Sequence, residues 1–182
     1  MSKQQLREQC KKRRNELTSE HVKSNSVKLS DHLSQHLNTL PASTIAIYFS
    51  FANEISIDSI LIDSAHHRYV APVVKPGAEL EWREVDHQLT HNEFGIREPA
   101  GNLVAANEIR LFLMPLVGFD LNGNRIGMGA GYYDRALQGI SKDCQKIGCA
   151  HGIQQCVNIT ADPWDIPLDA IATEDGIIWL SS

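Results

Sequence analysis

Leu6, Cys10 and Leu17 punctuate a polar opening stretch rich in helix formers, which predicts a first helix over 2–17 with a thin apolar stripe. Thr18 or Ser19, followed by Glu20 and His21, reads as a break and a new N-cap. A second helix then carries Val22, Leu29, Leu33, Leu37 and Leu40 at near-helical spacing until Pro41 ends it. Beyond it the period shortens. "TIAIYFS" at 44–50 predicts a buried strand, "IDSILIDSA" at 57–65 a helix, and "RYVAPVV" at 68–74 the next strand. "ELEWREV" at 79–85 alternates as a strand or hairpin arm, and "FGIREP" at 94–99 reads as loop. The most apolar strand candidate lies in 109–119, broken by Pro115 and Gly118. "YYDRALQGI" opens a helix at 132, and 145–151 and 169–180 supply two more short strands. Strands alternating with helices predict an α/β fold with a mostly parallel sheet. No repeat or linker interrupts the pattern, so residues 1–182 read as one domain.

Composition narrows the function. A chain of 182 residues can bury roughly 70% of its unfolded surface. A net charge of −5 argues against a general nucleic-acid or membrane-surface binder. The basic exception is local: Lys3, Arg7, Lys11, Lys12, Arg13 and Arg14. No apolar run approaches the ~20 residues of a membrane span, and the polar start is unlike a signal peptide, so a cytoplasmic protein is expected. Cys10, Cys144, Cys149 and Cys156 form no CxxC pair; reduced cytosolic thiols are the expectation over a metal site of Cys149, His151 and Cys156. The adjacent His66 and His67 would not share a helix face, which predicts surface placement.

The chemistry concentrates in "RIGMGAGYYDR" at 125–135. Three alternating glycines fit neither GxxxxGK[ST] nor, with Tyr132 in place of a glycine, the dinucleotide fingerprint. Yet a strand, a glycine-rich loop and a helix start are the arrangement that offers backbone N–H groups to an anion. The other reading is a tight loop whose glycines only permit positive φ. Asp134 beside phosphates would need a cation between them, which suits Mg²⁺; alone it is equally a first-turn carboxylate. Asp169, Glu174 and Asp175 offer a second carboxylate. Lys3, Arg7 and Arg14 share one helical face, either solvated or serving as phosphate hooks.

Taken in order, "KQQLREQCKKRRNELTSE", "YFSFANEISI", "FGIREP", "MPLVGFDLNGNRIGMGAGYYDR" and "PLDAIATEDG" resemble the 5-formyltetrahydrofolate cyclo-ligase (methenyltetrahydrofolate synthetase) family from residue 3 to 176. The resemblance implies a three-layer α/β fold with its site at the C-terminal strand ends. It also implies ATP- and Mg²⁺-dependent closure of 5-formyltetrahydrofolate to 5,10-methenyltetrahydrofolate, releasing ADP and phosphate. Carried over, Lys3, Arg7 and Arg14 would meet ATP, together with Gly127, Met128, Gly129, Ala130, Gly131, Tyr132, Tyr133 and Asp134. Phe49 and Glu54, with residues 129–133, would hold the folate; Phe49 is equally plain core. Arg125 and Tyr132 would act at the reacting groups, and Asp134 and Asp169 would hold Mg²⁺. Trp82 is a candidate stacking wall or a buried strand tryptophan. Ala130 stands where some members carry glycine or lysine, and Ile126 where leucine is usual. The implied protein is a cytoplasmic monomer whose partners are ATP and the folate, with no nucleic acid or membrane.

Overall fold

In the computed structural model, which describes residues 1–74, 79–86, 88–141 and 143–180, the two helical segments and the short-period segments separate cleanly. Ser2 starts α1 (Lys3–Asn15) with a capping box: its hydroxyl accepts the Gln5 N–H at 3.2 Å, and Gln5 Oε1 accepts the Ser2 N–H at 2.9 Å. Thr18 caps α2 (Ser19–Leu37) by accepting the His21 N–H at 3.2 Å. There follow β1 (Thr44–Ala46), α3 (Ile60–Asp63), β2 (Arg68–Val73), β3 (Glu81–Glu84), β4 (Leu89–His91), β5 (Arg97–Pro99) and β6 (Leu103–Val104). The second half holds β7 (Ile109–Pro115), β8 (Gly118–Phe119), β9 (Arg125–Ile126), α4 (Tyr132–Ala136), β10 (Gln145–Cys149), β11 (Ala170–Thr173) and β12 (Gly176–Trp179).

Eight strands form one sheet in the order β12-β11-β10-β7-β1-β2-β3-β6. β11, β10, β7, β1 and β2 run parallel, while β12 pairs antiparallel with β11, β3 with β2, and β6 with β3. The period of two sorts the core. Leu111 and Leu113 of β7, Ile45 and Ala170 face the α2 side with Leu29, Leu33 and Leu37. Phe112, Met114, Ala46 and Ile171 face the other side with Trp82 and Leu137. Among the described residues, α4 is the α-helix that packs on this second face, through Tyr132, Tyr133 and Ala136. Helix α1 lies off both faces, against the β8–β9 hairpin, through Leu6, Cys10, Val117, Ile126, Cys156 and Ile159.

Five expectations change here, the first being that "FGIREP", expected as loop, ends in β5, paired antiparallel with β4. The strand at 44–50 pairs regularly only to Ala46; after the Ile47 N–H bonds to Val70 O (2.8 Å), the chain turns toward Glu54. The helix at 57–65 contracts to four residues because Ser64, at φ −131°, leaves helical space. The last segment is a hairpin, β11–β12, turning at Gly176 with φ +137°. His67 is buried rather than at the surface: its ring accepts the Ser43 N–H at 3.2 Å and meets Leu37 O at 3.0 Å, joining α2 to β2.

Candidate active site

Helix α1 is the element that assembles the site. Arg7 Nε donates to Gly127 O at 2.9 Å, and its guanidinium carbon lies 3.6 Å from where a side chain at Gly129 would begin. One turn earlier, Lys3 Nζ is held by Asp162 Oδ2 at 2.6 Å and by Asp165 Oδ2. Burial works to lower the Lys3 pKa, but the two carboxylates outweigh it and raise it. Two turns further on, Arg14 is buried and donates to Glu54 Oε1 at 3.2 Å. The shared face predicted for Lys3, Arg7 and Arg14 therefore divides: Arg7 reaches the glycine loop, Lys3 the Asp162–Asp165 turn, and Arg14 the carboxylate beyond β1.

The glycine loop is exposed from Gly127 to Ala130 and its three glycines are not equivalent. Gly127 has ordinary backbone torsions and open space around its Cα. Gly129 at φ +106° and Gly131 at φ +66° occupy the left-handed region. The helix that follows has five residues, so the expected helix-end field is weak and the loop's own N–H groups matter more. Arg125 clamps the two ends, donating to Ile166 O and pairing with Asp134 Oδ1. Arg135 covers the Tyr132 ring with its guanidinium carbon 5.1 Å from the centroid. Met128 projects into solvent. Tyr133 packs toward Trp82 at 6.3 Å, and burial, with Glu54 and Cys149 nearby, raises its pKa well above the ordinary phenol value. Its phenol is thus a neutral hydrogen-bond donor at working pH.

At the other end, Glu54 Oε2 accepts the Phe51 N–H at 3.1 Å. Burial raises the Glu54 pKa, with Arg14 opposing it. Phe49 is nearly buried, and the Arg97 guanidinium carbon stands 4.5 Å from its ring centroid. Arg97 is fixed in turn by Asp58 Oδ2 at 2.5 Å. No local pattern in "FGIREP" marks Arg97, because its partner Asp58 lies 39 positions back along the chain and Phe49 lies further still. Trp82 is core, edge-to-face with Phe112 at 5.2 Å, not a wall of the site.

A second group went unforeseen. His151 is fully buried after β10, its ring nitrogens 3.1 Å from Asn25 Nδ2 and 3.1 Å from Asn53 O. Glu174 accepts from the same Asn25 side chain at 3.1 Å and from Gly152 N–H at 2.9 Å. Asn25, His151 and Glu174 have no shared sequence pattern that could announce this. Burial lowers the His151 pKa below the ordinary 6.5, the Asn53 carbonyl and Glu174 opposing. The unfolded chain therefore takes up its proton first, and the contribution of His151 is present above pH 6.5 and lost as pH falls. Urea midpoints are expected to decline as pH falls below 6.5, and His151→Gln should flatten that limb. An equally steep limb in the variant would assign the effect elsewhere, for instance to His36, whose pKa burial also lowers.

The two carboxylates expected to share a cation each have a cation of their own. Asp134 gives Oδ1 to Arg125, leaving Oδ2 without a hydrogen bond among the described residues. Asp169, at the beginning of β11 and thus at the opposite end of the parallel strands from Glu54, accepts from Lys146 N–H and Nζ, both at 2.7 Å. Among the described residues, no group of three or more His, Cys, Asp or Glu side chains is placed to hold a metal ion. A Mg²⁺ ion that takes one or two carboxylates plus phosphate oxygens is compatible with Asp134. No helix among the described residues is long and apolar enough to cross a membrane.

The 5-formyltetrahydrofolate cyclo-ligase family matches the chain over residues 1–174. A 5-formyltetrahydrofolate cyclo-ligase of Haemophilus influenzae is 34% identical over 176 residues, covering 91% of this chain and 94% of the relative. A solved 5,10-methenyltetrahydrofolate synthetase of Mycoplasma pneumoniae superposes with a TM-score of 0.80 at 31% identity, covering 96% of this chain and 99% of the other. That of Aquifex aeolicus gives 0.82 at 29%, covering 100% and 94%.

Proposed function

The chain belongs to the 5-formyltetrahydrofolate cyclo-ligase family, and from that premise we propose that its glycine loop activates the folate with ATP. The conversion is that of 5-formyltetrahydrofolate to 5,10-methenyltetrahydrofolate. The observation that carries the ATP reading is the single helix that fixes Arg7 across Gly127 and, two turns on, Arg14 against Glu54. One rigid element thereby joins a cationic, glycine-lined cradle to a buried carboxylate.

An amide oxygen is a poor nucleophile and a poor leaving group. In the proposed sequence the formyl oxygen attacks the γ-phosphorus of ATP, the bond to the β-γ bridging oxygen breaks, and ADP leaves. N10 then attacks the activated formyl carbon, the C–O bond breaks, and phosphate departs with its electrons as the N10 proton is lost. Most of the catalysis is positioning and charge neutralisation. Lys3, Arg7 and the N–H groups of Gly127 to Gly131 would hold the phosphates. Arg125 would face the charge that develops there, and Tyr132 would orient the formyl oxygen. Glu54 would accept pterin N–H groups in pairs, with Phe49 and Tyr133 beside the ring. Asp134, through its open Oδ2, would hold a Mg²⁺ ion that neutralises phosphate charge.

The test is the absorbance of the methenyl product on mixing protein, 5-formyltetrahydrofolate, ATP and Mg²⁺. Product is expected only with both ATP and Mg²⁺ present. Turnover that persists without nucleotide would overturn the phosphoryl step.

A further inference from the structure

Of the three tryptophans Trp164 is the most exposed, at 63%, against 49% for Trp179 on the edge strand β12 and 2% for Trp82. It occupies the third position of the turn Asp162–Asp165, closed by Asp165 N–H to Asp162 O at 3.0 Å, with Pro163 presetting the second. The turn is firmly held. Lys3 bonds both of its carboxylates, Asp165 Oδ2 also accepts the Asp162 N–H at 2.8 Å, and the next carbonyl, Ile166 O, receives Arg125 Nη1. Lys3 belongs to the helix that lays Arg7 on the glycine loop, and Arg125 opens that loop. A fixed turn is thus fastened to both segments that frame the cradle, and it lifts a bare indole into water. Met128, 55% exposed, is a second bare apolar side chain on the same framework. Lys3 offsets one of the two carboxylate charges of Asp162 and Asp165, which lowers their repulsion of a polyphosphate.

We propose that Trp164 is the base platform of the nucleotide site, stacking on the purine of the nucleotide whose phosphates lie over Gly127–Gly131. The inference rests on the ATP reading above and deepens it. Backbone N–H groups and cations recognise phosphate but cannot tell one base from another. An indole face supplies what they lack, because its stacking contact grows with the ring area of the base.

The experiment is a calorimetric titration of the whole chain with ATP, CTP and inorganic tripolyphosphate, for the parent, Trp164→Phe and Trp164→Ala. Removing the indole should weaken ATP binding about tenfold or more and collapse the ATP-over-CTP preference. Tripolyphosphate affinity should stay the same, and Trp164→Phe should remain within about threefold of the parent. ATP should also quench parent tryptophan fluorescence and leave that of Trp164→Phe unchanged. Equal ATP affinity in Trp164→Ala would overturn the proposal. So would parallel loss of ATP and tripolyphosphate, which would reduce Trp164 to a support for Lys3. A parent chain that binds neither ATP nor tripolyphosphate would overturn the phosphate-site reading itself, before any variant is compared.

Discussion

Gly129→Val is expected to lower kcat/KM by at least about a hundredfold, the loss that one misplaced stabilising donor produces, with the melting temperature almost unchanged. Gly129 sits at φ +106°, a torsion closed to a β-branched residue, so valine forces the loop to re-form. Its Cβ would also arrive 3.6 Å from the Arg7 guanidinium carbon, with the rest of the side chain still to place. The hydrogen bond from Arg7 to Gly127 O and the direction of the loop N–H groups are then lost together. The loop is exposed and contributes little to the core, so stability is spared. Circular dichroism melting beside steady-state kinetics separates the two. Near-normal turnover in a folded variant would mean that the loop does not close on the transferring phosphate.

The largest stability effect is expected from Arg14→Ala. It strands Glu54, 13% exposed, without its cation, and breaking a buried pair by removing one partner costs about 3–5 kcal/mol. For a chain of this size that is roughly 10 °C in Tm. The pH dependence makes the test specific. Burial raises the Glu54 pKa above the ordinary 4.5, and Arg14 is the chief influence pulling it back. A carboxyl with a raised folded pKa binds its proton more tightly when folded, so stability falls as pH rises from 4.5 through the folded value. Without Arg14 the folded value climbs further. The deficit of Arg14→Ala relative to the parent should accordingly be large at about pH 7.5 and shrink toward pH 5. Adding Glu54→Gln should recover part of it by removing the buried charge. A variant as stable as the parent at neutral pH would show that Glu54 does not depend on Arg14.

Both experiments probe contacts that the order of residues announced only in part. The face shared by Lys3, Arg7 and Arg14 was legible, because a helix repeats every 3.6 residues whatever surrounds it. That Arg14 turns to Glu54 was not, since the pairing depends on how the chain returns after β1. The glycine loop was legible as a place of close approach. Its division into one ordinary glycine and two left-handed ones was not, because composition permits a torsion without requiring it. Asp134 and Asp169 were legible as candidate cation ligands, yet each ended beside a basic side chain that no local spacing marks.

By itself, then, the sequence determined the α/β alternation, the parallel core strands, the two N-terminal helices with the cap of the second, and the family, through periods and ordered motifs that act over a few residues. The tertiary structure alone decided which cation meets which carboxylate, that His67 and His151 are buried, and that Trp164 stands bare on a turn fastened by Lys3. Such contacts join residues 9 to 162 positions apart, as in Arg125–Asp134 and Lys3–Asp165. They exist only once the sheet order brings distant loops together, and a pattern confined to neighbouring residues carries no information about that order.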